Sequence, residues 1–175
     1  APAIITVYDD GYGISVPNQF QMVKENIYTI LQGFQRDPCL EEDCERGYDL
    51  YQVRGWDYPS LIETYANAAE IARQYHIPQL VHVIDVTQPQ GHSTSGSHER
   101  YKTPERLTWE QEYDCVRKLR EWIIENHVAT DPALTDMEKE DYATVEGIRK
   151  IAWEAYLVPI LEERGQVMDP PWPYP

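Results

Sequence analysis

The stretch YDLYQVRGWDYPSLIETYANAAEIARQYHIPQLVHVI, residues 48–84, decides the fold class. Its opening, 48–53, alternates in character and reads as a strand. Asp57 has the chemistry of a helix N-cap, and Pro59 suits the first turn after it. Leu61, Ile62, Tyr65, Ala69 and Ala72 then recur at helical spacing, which predicts a helix to about residue 75. His76-Ile77-Pro78 ends it, and Leu80-Val81-His82-Val83-Ile84 predicts a second strand. Strand, helix and strand of these lengths form a right-handed crossover unit, hence a parallel sheet and an α/β fold.

Upstream, Ala3 to Tyr8 is a β-branched apolar run closed by Asp9-Asp10-Gly11, expected as a buried strand ending in a turn. Termini prefer the surface, so a central strand at the very start predicts chain upstream that was lost, cleaved or placed in another chain. Pro17 forces an extended segment over 14–17, and a short helix is expected over 26–34 with Ile27, Ile30, Leu31 and Phe34 on one face. Downstream, residues 87–104 form a long polar loop, a length that is usually functional or disordered. Thr108-x-x-Gln111 and Thr135-x-x-Glu138 read as capping boxes, predicting helices over 108–126 and 135–161. The first should bury Trp109, Tyr113, Val116, Leu119, Trp122 and Ile123. The proline-rich end reads as a linker. Three regions are expected: 1–105 as a partial α/β domain with a site loop, 106–165 as a helical extension, and 166–175 as the linker.

The net charge of −15 would repel a phosphate backbone or an anionic membrane surface, so neither nucleic acid nor membrane is an expected partner. The acidity favours solubility, and an anionic ligand must be held locally, by a metal ion or a few basic groups. The 13 Tyr and 5 Trp suit wet pockets and interfaces, and a tyrosine-rich core explains them equally well. Cys39, Cys44 and Cys115 lack framework spacing, which argues for a reducing compartment, the cytoplasm by default; a Cys39–Cys44 disulfide stays open. No stretch approaches the length of a membrane span, and no secretion signal is seen.

Two segments carry chemistry. In open parallel sheets, ligands bind beyond the carboxyl ends of the strands. There the turn Asp9-Asp10-Gly11-Tyr12 offers a carboxylate from Asp10 and a main-chain carbonyl from Tyr12, oxygen donors suited to a hard cation. Gly11 would let the backbone fold back closely enough for both. A plain Asp-Gly turn with solvated carboxylates is the stronger reading of that segment taken alone. The second segment runs from Gln88 to Tyr101, with hydroxyls, two glycines, His92, His98 and Arg100. Such a loop can order around a phosphate and present an imidazole for proton transfer, or it can simply be solvated. A zinc pair of His92 and His98 lacks a third ligand. His82 lies within a strand and reads as a satisfied core histidine; His76 and His127 sit near helix C-termini, where positive charge suits the dipole. No nucleophile elbow, phosphate-binding loop or dinucleotide glycine fingerprint is present.

Together these segments resemble the decarboxylating component of 2-oxo-acid dehydrogenase complexes, of the 2-oxoisovalerate and pyruvate type, in its alpha half. Asp9-Asp10-Gly11-Tyr12-Gly13-Ile14-Ser15-Val16-Pro17 is similar to the second half of that family's thiamine diphosphate motif, and Gly91-His92-Ser93-Thr94-Ser95 to its loop at the active-site mouth. Glu99-Arg100-Tyr101-Lys102 resembles versions with alpha and beta halves fused in one polypeptide. The resemblance implies the C-terminal part of a thiamine-diphosphate-binding parallel-sheet domain with helices on both faces, followed by a long-helix extension. It implies thiamine diphosphate and Mg2+ as cofactors, with Asp10 and the Tyr12 carbonyl as magnesium ligands, Gly11 in the cofactor-binding turn, and His92 contacting the diphosphate and assisting acyl transfer. Ser93 follows, where some family members are phosphorylated; that regulation is not carried over. The implied reaction is oxidative decarboxylation of a small 2-oxo acid with acyl transfer to lipoyllysine. The implied partners are a beta half and a lipoyl-bearing acyltransferase in an oligomer. Asp replaces Asn at Asp9 and Asp10, and the family's Gly-Asp-Gly segment is absent, so the isolated piece is expected to be inactive. The other reading is a non-catalytic assembly or docking module derived from the same fold.

Overall fold

A computed structural model describes residues 2–36, 46–93 and 97–168. The chain forms two compact units, residues 1–125 and 126–175. The loop bearing Cys39 and Cys44, and residues 169–175 of the proline-rich end, lie outside the described residues.

The first unit is built on a three-stranded parallel sheet, in which β1 (Ile4–Tyr8) and β4 (Asp49–Arg54) flank β5 (Gln79–Ile84). The α/β reading therefore holds, with the crossover helix α3 (Tyr58–Tyr75) joining β4 to β5. Asp57 caps α3, accepting from the Ser60 N–H at 3.2 Å, and Pro59 stands in the first turn. The αL backbone of His76 (φ 57°) stops it. The face α3 buries is set by Ala68 and Ala72, with Leu61 and Tyr65 packed on the core of Val53, Val81 and Val83. Ile62, expected on that face, is 58% exposed.

β5 is buried on both sides, as a central parallel strand should be, and its polar residues are matched. Gln79 accepts from the Tyr51 hydroxyl at 3.0 Å and donates to Asp49 and to the Ile77 carbonyl. β1 corrects an expectation. It was read as a buried strand, yet it is an edge of the described sheet, with Ile5 and Tyr8 exposed. Among the described residues it pairs only with β5, so its other edge is uncovered.

After β1 a small hairpin pairs β2 (Tyr12–Gly13) with β3 (Val16–Pro17), and a one-turn helix α1 (Asn18–Gln21), absent from the sequence reading, follows. The expected helix over 26–34 is α2 (Ile27–Leu31), capped by Asn26 and running into a 3-10 turn, Gln32–Phe34; Phe34 is exposed rather than packed.

The two capping boxes were misread. Helix α4 (Pro104–Glu112) starts four residues before the expected cap Thr108, because Thr103 accepts from the Arg106 N–H and Pro104 takes the first turn. Thr108 is mid-helix, its hydroxyl turned to the Pro104 carbonyl. One continuous helix over 108–126 was expected; instead the chain breaks at Tyr113-Asp114 and restarts as α5 (Cys115–Glu125), Asp114 accepting from the Arg117 N–H at 2.9 Å. Val116, on the expected buried stripe, is 73% exposed. In the second unit α6 (Asp131–Met168) likewise begins at a Thr-Asp-Pro start, with Thr130 rather than Thr135 at its head, and runs past the expected end at 161. A threonine followed within two residues by proline outcompetes a later Thr-x-x-Gln or Thr-x-x-Glu, since proline in the first turn is preorganised for helix. No helix among the described residues is long and apolar enough to cross a membrane.

Candidate active site at the strand ends

β1 and β5 are parallel neighbours, so the chain leaving each emerges at the same edge of the sheet. The Asp9 N–H donates to the Val83 carbonyl at 2.8 Å and the Val86 N–H to the Asp9 carbonyl at 3.2 Å, extending the pairing past both strand ends. The turn after β1 and the loop after β5 are thereby held side by side. Between them opens a cavity of about 310 Å³, edged by Tyr8, Asp10, Tyr12, Thr87, Gln88 and His92. Asp10, Tyr12 and His92, singled out separately in the sequence, share that one cavity. His92 is exposed at the rim, and with Ile14 it also borders a second cavity of about 430 Å³ that Arg100 and Tyr101 line.

The turn itself is an interlocked set of bonds. Asp9 Oδ1 accepts from the Gly11 N–H and from the Asn18 amide, both at 2.8 Å, and Asp10 Oδ1 accepts from the Tyr12 N–H at 3.0 Å. Gly11 has φ +83°, a left-handed conformation that favours glycine, and a Cβ there would meet nothing within 4 Å. The backbone angle therefore calls for glycine here, in keeping with the fold-back expected from the sequence. Ile14, at the hairpin tip, also has φ 62°, a strained position for a β-branched residue, beside both cavities.

Beneath the turn, His82 is fully buried and satisfied, as its place in a strand suggested. What the sequence did not reveal is its partner. His82 Nε2 lies 2.8 Å from Asp9 Oδ2, and its Nδ1 lies 3.3 Å from the Gln52 side-chain nitrogen. That Gln52 nitrogen also donates to Asn26 Oδ1 at 3.3 Å, the same oxygen that caps α2, which fixes it as the amide nitrogen. Nδ1 of His82 thus accepts and Nε2 carries the hydrogen given to Asp9. The hydrogen bond with His82 holds the Asp9 carboxyl below the ordinary carboxylate range; burial opposes this, and Gly11 and Asn18 assist. Asp9 is therefore a structural carboxylate, pointing into the sheet, while its neighbour Asp10 faces the cavity.

The sequence profile of the dehydrogenase E1 component family matches residues 1–159 of the 175. The chain belongs to that family. It is 23% identical over 122 residues to the pyruvate dehydrogenase E1 component subunit alpha of Rickettsia bellii (strain RML369-C). That match covers 67% of this chain and 37% of the Rickettsia protein, so the chain spans well under half of the relative's length.

The sequence reading of the E1 chain missed the residues that reach the turn from α4. Lys102 and Glu110 are buried, with Lys102 Nζ 2.7 and 2.8 Å from the Glu110 carboxylate oxygens. Arg106 Nε donates to the same carboxylate at 2.8 Å, and its Nη2 donates to the Asp10 carbonyl at 3.0 Å. The Tyr12 ring lies 5.2 Å from Lys102 Nζ and 5.8 Å from the Arg106 guanidinium carbon, and packs edge-on against Tyr101. The one available signal was the i,i+4 spacing of Arg106 and Glu110, which in sequence looks like an ordinary surface pair.

Proposed function

We propose that this chain is the cofactor-holding part of a thiamine-diphosphate-dependent 2-oxo-acid dehydrogenase, which decarboxylates a small 2-oxo acid and passes the acyl group to lipoyllysine. The observation that carries this is the shared cavity, where Asp10, Tyr12 and His92 meet at the carboxyl ends of two parallel strands. Dehydrogenase E1 components are in general thiamine-diphosphate-dependent.

The residues fit a magnesium-bridged diphosphate. Magnesium is commonly held by one or two carboxylates together with phosphate oxygens and water. Asp10 supplies one carboxylate, whose Oδ2 has no partner among the described residues, and Tyr12 a main-chain carbonyl. When bound, the thiamine ring supplies the electron sink that decarboxylation needs. The protein's part is grip and orientation: the Asp10 carboxylate and the Tyr12 carbonyl would hold the metal, and the His92 imidazole would hold or move a proton at the cavity mouth. The beta half, the acyltransferase partner, the oligomer and a cytoplasmic setting belong to the same reading.

Calorimetry on the complete assembled enzyme tests it. Thiamine diphosphate should bind only with Mg2+, and Asp10→Ala should abolish that heat. His92→Ala should slow acyl transfer to lipoyllysine about a hundredfold while sparing carbon dioxide release more. Metal-independent binding, or an equal loss of both steps, goes against these roles. A second reading, an assembly module, draws on α6, where Val145, Ile148, Ile151 and Tyr156 are exposed. An assembled protein that stays intact yet takes up no cofactor would favour it.

A further inference from the structure

We propose that Arg106 is a positioning residue for the Asp10–Tyr12 turn, locked in place by a buried Lys102–Glu110 pair so that it fixes the groups offered to the metal. The inference rests on the functional reading above and deepens it.

Three observations support the assignment. First, the triad costs desolvation that a surface helix would not need to bear: the Lys102 and Glu110 side chains are 1% and 3% exposed. In some proteins a buried ion group of this kind specifies a geometry. Second, the geometry it specifies ends on the turn. Glu110 receives Lys102 on both oxygens and Arg106 on one, which leaves the far arm of the guanidinium aimed at the Asp10 carbonyl. Only a planar fork can bond a carboxylate with one nitrogen and a main-chain oxygen with another at fixed separation. Third, the same two cations flank the Tyr12 ring. The turn is thus held at residue 10 by a hydrogen bond and at residue 12 through its ring, and these two residues carry the candidate metal ligands. Arg106 bonds the main chain of Asp10 and not its carboxylate, so Oδ2, the oxygen that the Tyr12 N–H does not occupy, stays available. The formal charge of the triad is +1, from two cations and one carboxylate, in a chain of net charge −15 that has to accept a diphosphate.

The test uses the assembled enzyme and two readouts. In the cofactor-free protein, hydrogen exchange at the Gly11 and Tyr12 amides reports the clamp directly. In the presence of saturating thiamine diphosphate, a Mg2+ titration followed by tryptophan fluorescence reports its consequence. Arg106→Met should speed exchange at those two amides without changing that of β1, and should raise the half-saturating Mg2+ concentration about 10- to 100-fold, the usual result of removing a group that orients a metal's ligand. Arg106→Lys keeps the charge and loses the fork, so it should behave like Arg106→Met. The double variant Lys102→Met/Glu110→Met replaces the buried pair by apolar groups, guards against misfolding, and should also weaken Mg2+ binding. Arg117→Met, which removes an exposed pair with Glu121, serves as the control and should change neither readout. Unchanged exchange and unchanged Mg2+ dependence in Arg106→Met overturn the proposal, as does full rescue by lysine. If the unaltered enzyme binds no Mg2+ and cofactor, the functional reading fails and the metal-positioning role with it, whereas exchange still decides whether the clamp exists.

Discussion

Leu50, Val53, Val81 and Val83 in the first unit are buried, whereas Ile148, Ile151, Tyr156 and Val167 of α6 are exposed. Charges divide the same way. Lys102, Glu110 and Arg106 interlock beneath the site turn, while Lys139–Asp136 and Arg149–Glu146 lie along the open surface of α6. The same residue types therefore do different work in the two units. Beneath the strand-end turn, His82, Asp9, Lys102 and Glu110 each have a specific partner, so a single truncation there leaves something stranded. Along α6, the helix is held by its own backbone bonds and by helix-forming residues, and truncation strands nothing.

The largest expected effect sharpens that contrast. Glu110→Ala leaves Lys102 buried without its counter-charge and should destabilise the first unit by about 3–5 kcal/mol in urea unfolding. Glu146→Ala in α6, the same change in an exposed pair, should leave the midpoint where it was. Equal losses would break the comparison. Next comes packing. Leu50→Ala should lower stability by about 2–5 kcal/mol, and Ile148→Ala by less than about 0.5 kcal/mol under the same conditions. A large loss at Ile148 would mean that α6 is covered in the working protein.

A smaller effect comes from pH. The folded Asp9 carboxyl titrates below its unfolded value because of His82, so its contribution is complete above the unfolded value of about 3.9 and is lost as pH falls through the folded one. Urea midpoints of the first unit should therefore fall from pH 5 to pH 3, and Asp9→Asn should flatten the fall. Glu146 is also held low, by Arg149, but the pair lies at the solvent-screened surface, so Glu146→Gln should leave the same curve unchanged. The smallest effect is a gain. Ile14→Gly relieves a left-handed isoleucine at the hairpin tip and should raise the melting temperature slightly, by at most about 1 kcal/mol of stability.

How much of this was legible depends on how far apart the deciding atoms stand in the chain. The crossover from β4 through α3 to β5, the Asp57 cap and the placing of two loops at strand ends were read from residues within a few turns of one another, where periodicity and capping chemistry act. The misread starts of α4 and α6 are also local; there Thr103-Pro104 and Thr130-Asp131-Pro132 carried a stronger signal than the boxes chosen. For the site, the residue types at Asp10, Tyr12 and His92 were visible, while the cavity that joins them was not.

Sequence alone determined the parallel α/β class, because strand and helix periodicities and their lengths leave few ways to connect them. It also determined which side chains are available at the carboxyl ends of β1 and β5. Only the tertiary structure decided that β1 lies beside β5, that His82 turns Asp9 inward and leaves Asp10 to the cavity, and that Arg106 reaches the Asp10 carbonyl from 96 residues away. The reason is that burial, and not local propensity, chooses the partner of a polar group. A carboxylate next to a turn is equally content in water until a fold takes the water away, and the fold then fixes which donor must replace it.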